Sequence, residues 1–399
     1  MTDWNSGNDA VSRSPSPSSD DDGASDTSTL VYSQQAFETY QHCVEEIVQK
    51  TWPGLEKEQI AVERMHGGSY NRITGISFNA PESKRFPDLT TLTDHLAPLR
   101  FVYQYPELPV PKVVAFDCSS DNALTKPYII QERAPGRPVL HEYPAMSHQS
   151  RLAAARQLGR FYNNITTING NRIGKLVPAQ AELLDDSWSF NIQTFITTIF
   201  ETIPLKTEPY HKQTQAKAAF QGLLEIFQFR LNRDLADPYD FRAPYDRSFL
   251  SMTEDLYRLG CFEDTPLTLC HLDLEVYNIL VDISNETAPI SAVLDWDDAV
   301  FASVFVACTP PMWLWGWRDG EDEDERQANE TPATVENQQL KQSFEDAAGA
   351  TYMRFAYKPE CRLARRLFRF ALSGIHSAEQ QEEADQMLKE WSEIKPKST

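Results

Sequence analysis

The sequence predicts an α+β protein in two unequal parts, a strand-bearing N-terminal part and a larger, mainly helical C-terminal part. Three observations carry this. Short apolar runs read as strands at 72–78, 112–116 and 128–133. Beyond Pro144 the apolar residues recur at helical spacing over long windows. A single strand pair, 279–282 and 290–294, then returns inside the helical part.

The elements follow in order. Residues 1–30 mix Ser, Asp and Pro and cannot bury enough apolar surface to offset ordering entropy, so they are expected to be disordered. Their Ser-Pro pairs fit modification by protein kinases, and a plain solvated tail accounts for the same letters. Phe37, Tyr40, Val44, Ile47 and Val48 are spaced for one helix face, ending before Trp52-Pro53-Gly54. A Gly-rich turn at Met65–Asn71 leads into the strand at 72–78. Residues 79–91 are polar with two prolines, and a short helix is predicted over 94–105. The strands at 112–116 and 128–133 flank a polar turn, and Pro135-Gly136 marks a connector. Helices are predicted over 150–165, 212–230, 246–259, 339–357 and 361–391.

Composition excludes several function classes. The chain of 399 residues carries a formal charge of −21; six acids and one base lie in residues 1–30, leaving −16 on the rest. A nucleic-acid binder needs a basic footprint, and a polybasic membrane anchor needs the same, so neither is expected. The six cysteines are scattered, without zinc spacing. There is no apolar core of a secretory signal at the start, and the apolar stretch 301–317 contains two prolines and is too short to span a bilayer. A soluble, reduced, cytoplasmic protein is expected.

The chemistry concentrates in Leu269-Cys-His271-Leu-Asp273-Leu-Glu-Val-Tyr-Asn278-Ile-Leu-Val-Asp282, followed by Ala292-Val-Leu-Asp295-Trp-Asp-Asp298. Apolar flanks fix the backbone on either side of His271, Asp273 and Asn278, and Asp295 ends the strand paired to this segment. Phosphoryl transfer needs such a set: a carboxylate to orient a hydroxyl and take its proton, and an amide oxygen and second carboxylate for the Mg²⁺ that bridges the phosphates.

The pattern H-x-D-x4-N-I-L-V, with an Asp seventeen residues after the Asn, resembles the aminoglycoside phosphotransferase and choline kinase-like family. The continuation Ala299–Ala302 and Cys308–Gly316 is similar to its fungal branch, and the resemblance extends over about residues 60–380. It implies a two-lobed protein kinase-like fold: a small β-rich N-lobe over 31–135 and a larger, mainly helical C-lobe over 136–399. It implies an ATP-dependent transfer to a hydroxyl of a small molecule, with ATP and Mg²⁺ as cofactors. Asp273 would be the catalytic base, Asn278 and Asp295 the Mg²⁺ ligands, and His271 a loop brace. Gly67, Gly68 and Ser69 resemble the loop over the ATP phosphates, where glycines let backbone N–H groups approach. Backbone near Glu132 and Ala134 would hydrogen-bond the adenine.

Two departures from the family stand out. It places a basic residue on the third N-lobe strand, whereas Asn79–Leu89 shows no such strand, and Lys84 or Arg85 is left as the phosphate cation. Glu275 stands where a non-acidic residue is usual, two residues past Asp273. A catalytically impaired, nucleotide-binding pseudokinase is therefore a second reading. A protein kinase is a third, disfavoured because Trp-Asp-Asp follows Asp295 and no Ala-Pro-Glu element comes after it. Trp313, Trp315, Trp317 and the acids of 319–325 are candidates for an acceptor wall that suits an amine, although packed core tryptophans explain the same residues.

Overall fold

In a computed structural model the described residues are 36–65, 73–79, 89–92, 96–117, 119–178, 190–193, 195, 215–236, 240–287, 289–317 and 324–395. The chain begins with α1 (Phe37–Thr51), whose Tyr40, Val44, Ile47 and Val48 are buried as their spacing predicts. They meet Ile60, Ile76, Tyr128 and Ile130 in a small core of their own. These last residues belong to an antiparallel sheet of β1 (Ile60–Arg64), β2 (Thr74–Phe78), β3 (Leu89–Leu92), β4 (Val113–Asp117) and β5 (Tyr128–Glu132), in spatial order β1-β2-β3-β5-β4.

The third strand corrects the sequence reading. A strand does follow Phe78: Leu89–Leu92 pairs with both neighbours, Thr74 opposite Thr91 and Leu89 opposite Glu132. Two sheet neighbours define it, and neither is visible in a four-residue run behind two prolines. None of its residues, Leu-Thr-Thr-Leu, is basic.

Next comes α2 (Leu96–Val102), whose Arg100 stacks on the Phe116 ring of β4 at 4.0 Å. Val102 and Leu99 join the main core, and the Phe101 ring meets Phe190 and Phe301 edge-on at 5.4 and 5.7 Å. The connector after β5 forms β6 (Arg137–Pro138) and α3 (Val139–Glu142). Gly136 makes this possible. Its φ is +93°, and a Cβ there would lie 2.1 Å from the Val281 carbonyl oxygen.

The rest is mainly helical, as expected. It comprises α4 (His148–Ile165), α5 (Gln215–Asp234), α6 (Ala243–Arg258), α7 (Val304–Ala307), α8 (Trp313–Gly316), α9 (Val335–Ala356), α10 (Pro359–Ser373) and α11 (Ala378–Ile394). The single helix read over 361–391 is two. Gly374 at φ +76° ends α10, and Ser377 starts α11 with a capping box to Gln380. Two small sheets are set among the helices, with orders β11-β10-β6 and β8-β7-β12-β9. Their strands are β7 (Gly174–Pro178), β8 (Phe190–Gln193), β9 (Leu267–Cys270), β10 (Ile279–Val281), β11 (Ile290–Val293) and β12 (Val300–Ser303). A five-stranded sheet leading into a helical region with this inserted strand set is the two-lobed, kinase-like arrangement expected. The tail 1–30 lies outside the described residues.

Candidate active site

Two connecting segments form the site: 271–278 joins β9 to β10, and 294–299 joins β11 to β12. Both are clamped at each end by the same two antiparallel pairings. Cys270 lies opposite Val300, and Ile279 opposite Val293. These strands are almost wholly buried, so their burial fixes where the two segments emerge. Between the clamps, Leu294 N–H donates to the Asn278 carbonyl at 2.8 Å.

His271 is buried and braces both segments. Its Nε2 lies 2.8 Å from the Leu294 carbonyl, and its Nδ1 is 3.2 Å from the Asp273 backbone N–H. A carbonyl only accepts and an amide N–H only donates. The ring is therefore the neutral Nε2–H tautomer. Burial depresses its pKa to about 4, against the opposing pull of the Leu294 carbonyl and the Asp273 and Asp298 charges. The Trp296 indole packs edge-on to it at 4.7 Å.

Asp273 is held from two sides. Asn278 Nδ2 donates to its backbone carbonyl and to Oδ2, both at 2.9 Å, while Tyr277 Oη donates to Oδ1 at 2.9 Å. With its amide nitrogen committed, Asn278 keeps its Oδ1 as an acceptor. Asp295 sits in the left-handed region at φ +59°, an uncommon place that Asp tolerates better than most residues. The buried Trp296 beside it, whose Nε1 donates to the Val293 carbonyl at 3.0 Å, anchors that turn. The Asp295 carboxyl pKa is raised, by burial first and then by the charges of Asp273 and Asp298. Asp295 thus lies within electrostatic reach of both Asp273 and Asp298, and Lys175 pairs with Asp298 at 3.0 Å. Among the described residues, no cluster of three or more His, Cys, Asp or Glu is arranged to hold a metal.

The structure brings His271, Asp273, Asn278 and Asp295 together. It leaves the remaining candidates elsewhere or undescribed. Gly67, Gly68, Ser69, Lys84 and Arg85 lie outside the described residues. Glu132 ends β5, its N–H donating to the Lys112 carbonyl at 2.8 Å and its carboxylate paired with Lys112 at 2.9 Å. That N–H is spent on the sheet, so Ala134, beyond the strand, is the better-placed of the two for a ligand. Of the expected acceptor wall, Trp313 lines a cavity beside the 271–278 segment, while other described members are engaged elsewhere. Trp315 is buried against Phe344, Trp317 stacks on Tyr143 at 4.9 Å, and Glu325 is paired with the buried Arg365 and Asp324 with Arg326. Residues 319–323 lie outside the described set. The sequence reading missed Tyr277, although its place four residues after Asp273 was visible. It also missed Arg369 of α10, which faces Glu275 across a cavity and is far away in sequence.

The family model of the APH phosphotransferase enzyme family matches residues 77–331, more than half of the chain. The match holds Lys84, Arg85, Glu132, Ala134, His271, Asp273, Asn278 and Asp295; Gly67, Gly68 and Ser69 precede it. No curated protein matches the chain in sequence. Among solved structures, a thermostable mutant of aminoglycoside phosphotransferase APH(4)-Ia, in ternary complex with AMP-PNP and hygromycin B, is similar at 15% identity and a TM-score of 0.48, covering 87% of this chain and 98% of that one. The GDP complex of wild-type aminoglycoside 2'-phosphotransferase-IIIa is similar at 15% identity and a TM-score of 0.47, covering 89% of this chain and 98% of that one.

Proposed function

The chain belongs to the phosphotransferase enzyme family, and from that premise we propose that it transfers the γ-phosphate of ATP to a hydroxyl of a small molecule. The observation that carries this reading is the joint fixing of Asp273 and Asn278, with the Asn278 amide nitrogen gripping both the carboxylate and the carbonyl of Asp273 beside Asp295. Asp273 is the base. Each of its oxygens holds one donor and keeps a further lone pair for an incoming hydroxyl. The hydroxyl oxygen attacks the γ-phosphorus and forms the new O–P bond. The bond from that phosphorus to the β,γ-bridging oxygen breaks, ADP leaves, and the hydroxyl proton passes to Asp273.

The donor set suits Mg²⁺. Asn278 Oδ1 and the Asp295 carboxylate are hard oxygen ligands, and Mg²⁺ takes one or two protein carboxylates and completes its shell with phosphates and water. The raised pKa of Asp295 among like charges marks a place where a cation is wanted. When bound, the ion neutralises charge on the phosphates. His271 touches no reacting atom; it positions the backbone of both segments.

Replacing Asp273 by Asn tests the roles. Transfer is expected to fall about 10²- to 10⁴-fold, the usual share of a general base, with Mg-ATP binding kept. Normal turnover by that variant would remove Asp273 from the mechanism. One observation favours a second reading, an impaired nucleotide binder: β3 carries no cation to grip the phosphates. It predicts stabilisation by Mg-ATP without transfer to any hydroxyl.

A further inference from the structure

A cavity of about 50 Å³ opens on the side of the 271–278 segment, lined by His271, Leu274, Glu275, Tyr162, Trp313 and Arg369. A water needs about 10–15 Å³ of space of this kind, so the cavity admits a small charged head group. Two of its lining groups are charged, and they carry opposite signs. Burial raises the Glu275 carboxyl pKa, as does the Asp273 charge, while Arg369 pulls it down. Among the described residues, Arg369 closes no ion pair with Glu275 or with any other acid. A facing acid and guanidinium that remain open across a cavity leave room for a molecule bearing the complementary charges. Among the described acids of the supposed amine wall, Glu325 and Asp324 are taken by Arg365 and Arg326.

We propose that this cavity is the head-group subsite of the acceptor, and that the acceptor is a hydroxylated zwitterion whose carboxylate meets Arg369 and whose ammonium meets Glu275. This rests on the phosphotransferase reading for the role of acceptor, and not for the binding itself. The site also gives Glu275 a part, since the Arg369 cation faces its carboxylate across the same cavity. The planar guanidinium suits a carboxylate bidentately, which a lysine there would not do.

Calorimetric titration of the full chain without nucleotide tests the subsite, using L-serine, ethanolamine and glycolate as the zwitterion and its two halves. L-Serine is expected to bind saturably in the millimolar range and at least tenfold more tightly than either half. Arg369→Gln is expected to weaken L-serine about ten- to a hundredfold, as for the loss of one charge-assisted hydrogen bond, and Arg369→Lys to recover only part of it. Unchanged thermal stabilisation by Mg-ATP in both variants controls for folding. L-Serine binding no tighter than ethanolamine or glycolate, or equally tight in Arg369→Gln, overturns the proposal. The expected binding pattern without phosphate transfer to L-serine from ATP would leave the subsite standing and count against the phosphotransferase reading.

Discussion

Lowering the pH from 7 to 4 should cost the folded protein about 3 kcal/mol through His271 alone. The ring is neutral in the fold because its two nitrogens meet a carbonyl and an amide N–H, and the charged ring, protonated on both nitrogens, cannot accept from the second. Its folded pKa is about 4, against about 6.5 for an exposed imidazole. The unfolded chain therefore takes up the proton first. Stability is complete above about pH 6.5, falls as the pH drops, and levels off once the folded ring also protonates near pH 4. A gap of about 2.5 pH units at 1.36 kcal/mol per unit gives about 3 kcal/mol. Urea denaturation at half-unit intervals of pH, for the wild type and His271→Gln, reads this directly, because the variant has no proton to take up. The wild-type curve should fall more steeply by that amount between pH 7 and 4. Parallel curves, or an imidazole resonance of His271 titrating near 6.5, would refute the neutral brace.

Other consequences are as specific. Gly136→Ala places a methyl 2.1 Å from the Val281 carbonyl at a φ of +93°, and should destabilise by about 3 kcal/mol or more in guanidinium titration. Arg365 is buried, donates to the carbonyls of Phe305, Phe355 and Ala356, and pairs with Glu325; Arg365→Met should cost about 3–5 kcal/mol, part of it regained when Glu325→Gln is added. Asp246 is buried beside Asp234, and burial followed by the Asp234 charge raises its pKa. The fold keeps a proton that the unfolded chain releases above about pH 4. Stability is therefore lost as the pH rises, and Asp246→Asn should melt above the wild type by a margin that widens towards pH 8.

How much of this was legible in the sequence depended on distance along the chain. His271, Asp273 and Asn278 lie within eight positions, and Asp295 follows directly on the strand paired to them, so local spacing and apolar flanks were enough to find the cluster. The tautomer of His271 was not legible, because it depends on the Leu294 carbonyl from the opposite segment. β3 escaped because its four residues gain their meaning from β2 and β5. α10 and α11 read as one helix because helical periodicity continues across Gly374, whose positive φ leaves no trace in an apolar pattern. The tryptophans could not be sorted for a related reason: an indole in the core and one in a binding wall are the same letter, and only contacts such as Trp315 on Phe344, or the cavity at Trp313, separate them. Arg369 is far from Glu275 in sequence, and only the packing of α10 beside the loop brings them to one cavity.

The central claim is that Asn278 and Asp295 hold a metal-bound nucleotide beside Asp273. Calorimetric titration of Mg-ATP into the wild type and Asp295→Ala tests it most directly. Saturable binding by the wild type that disappears in the variant, and that also disappears when Mg²⁺ is chelated, is the expected result. No heat of binding with the wild type, or equal binding by Asp295→Ala, would contradict the account.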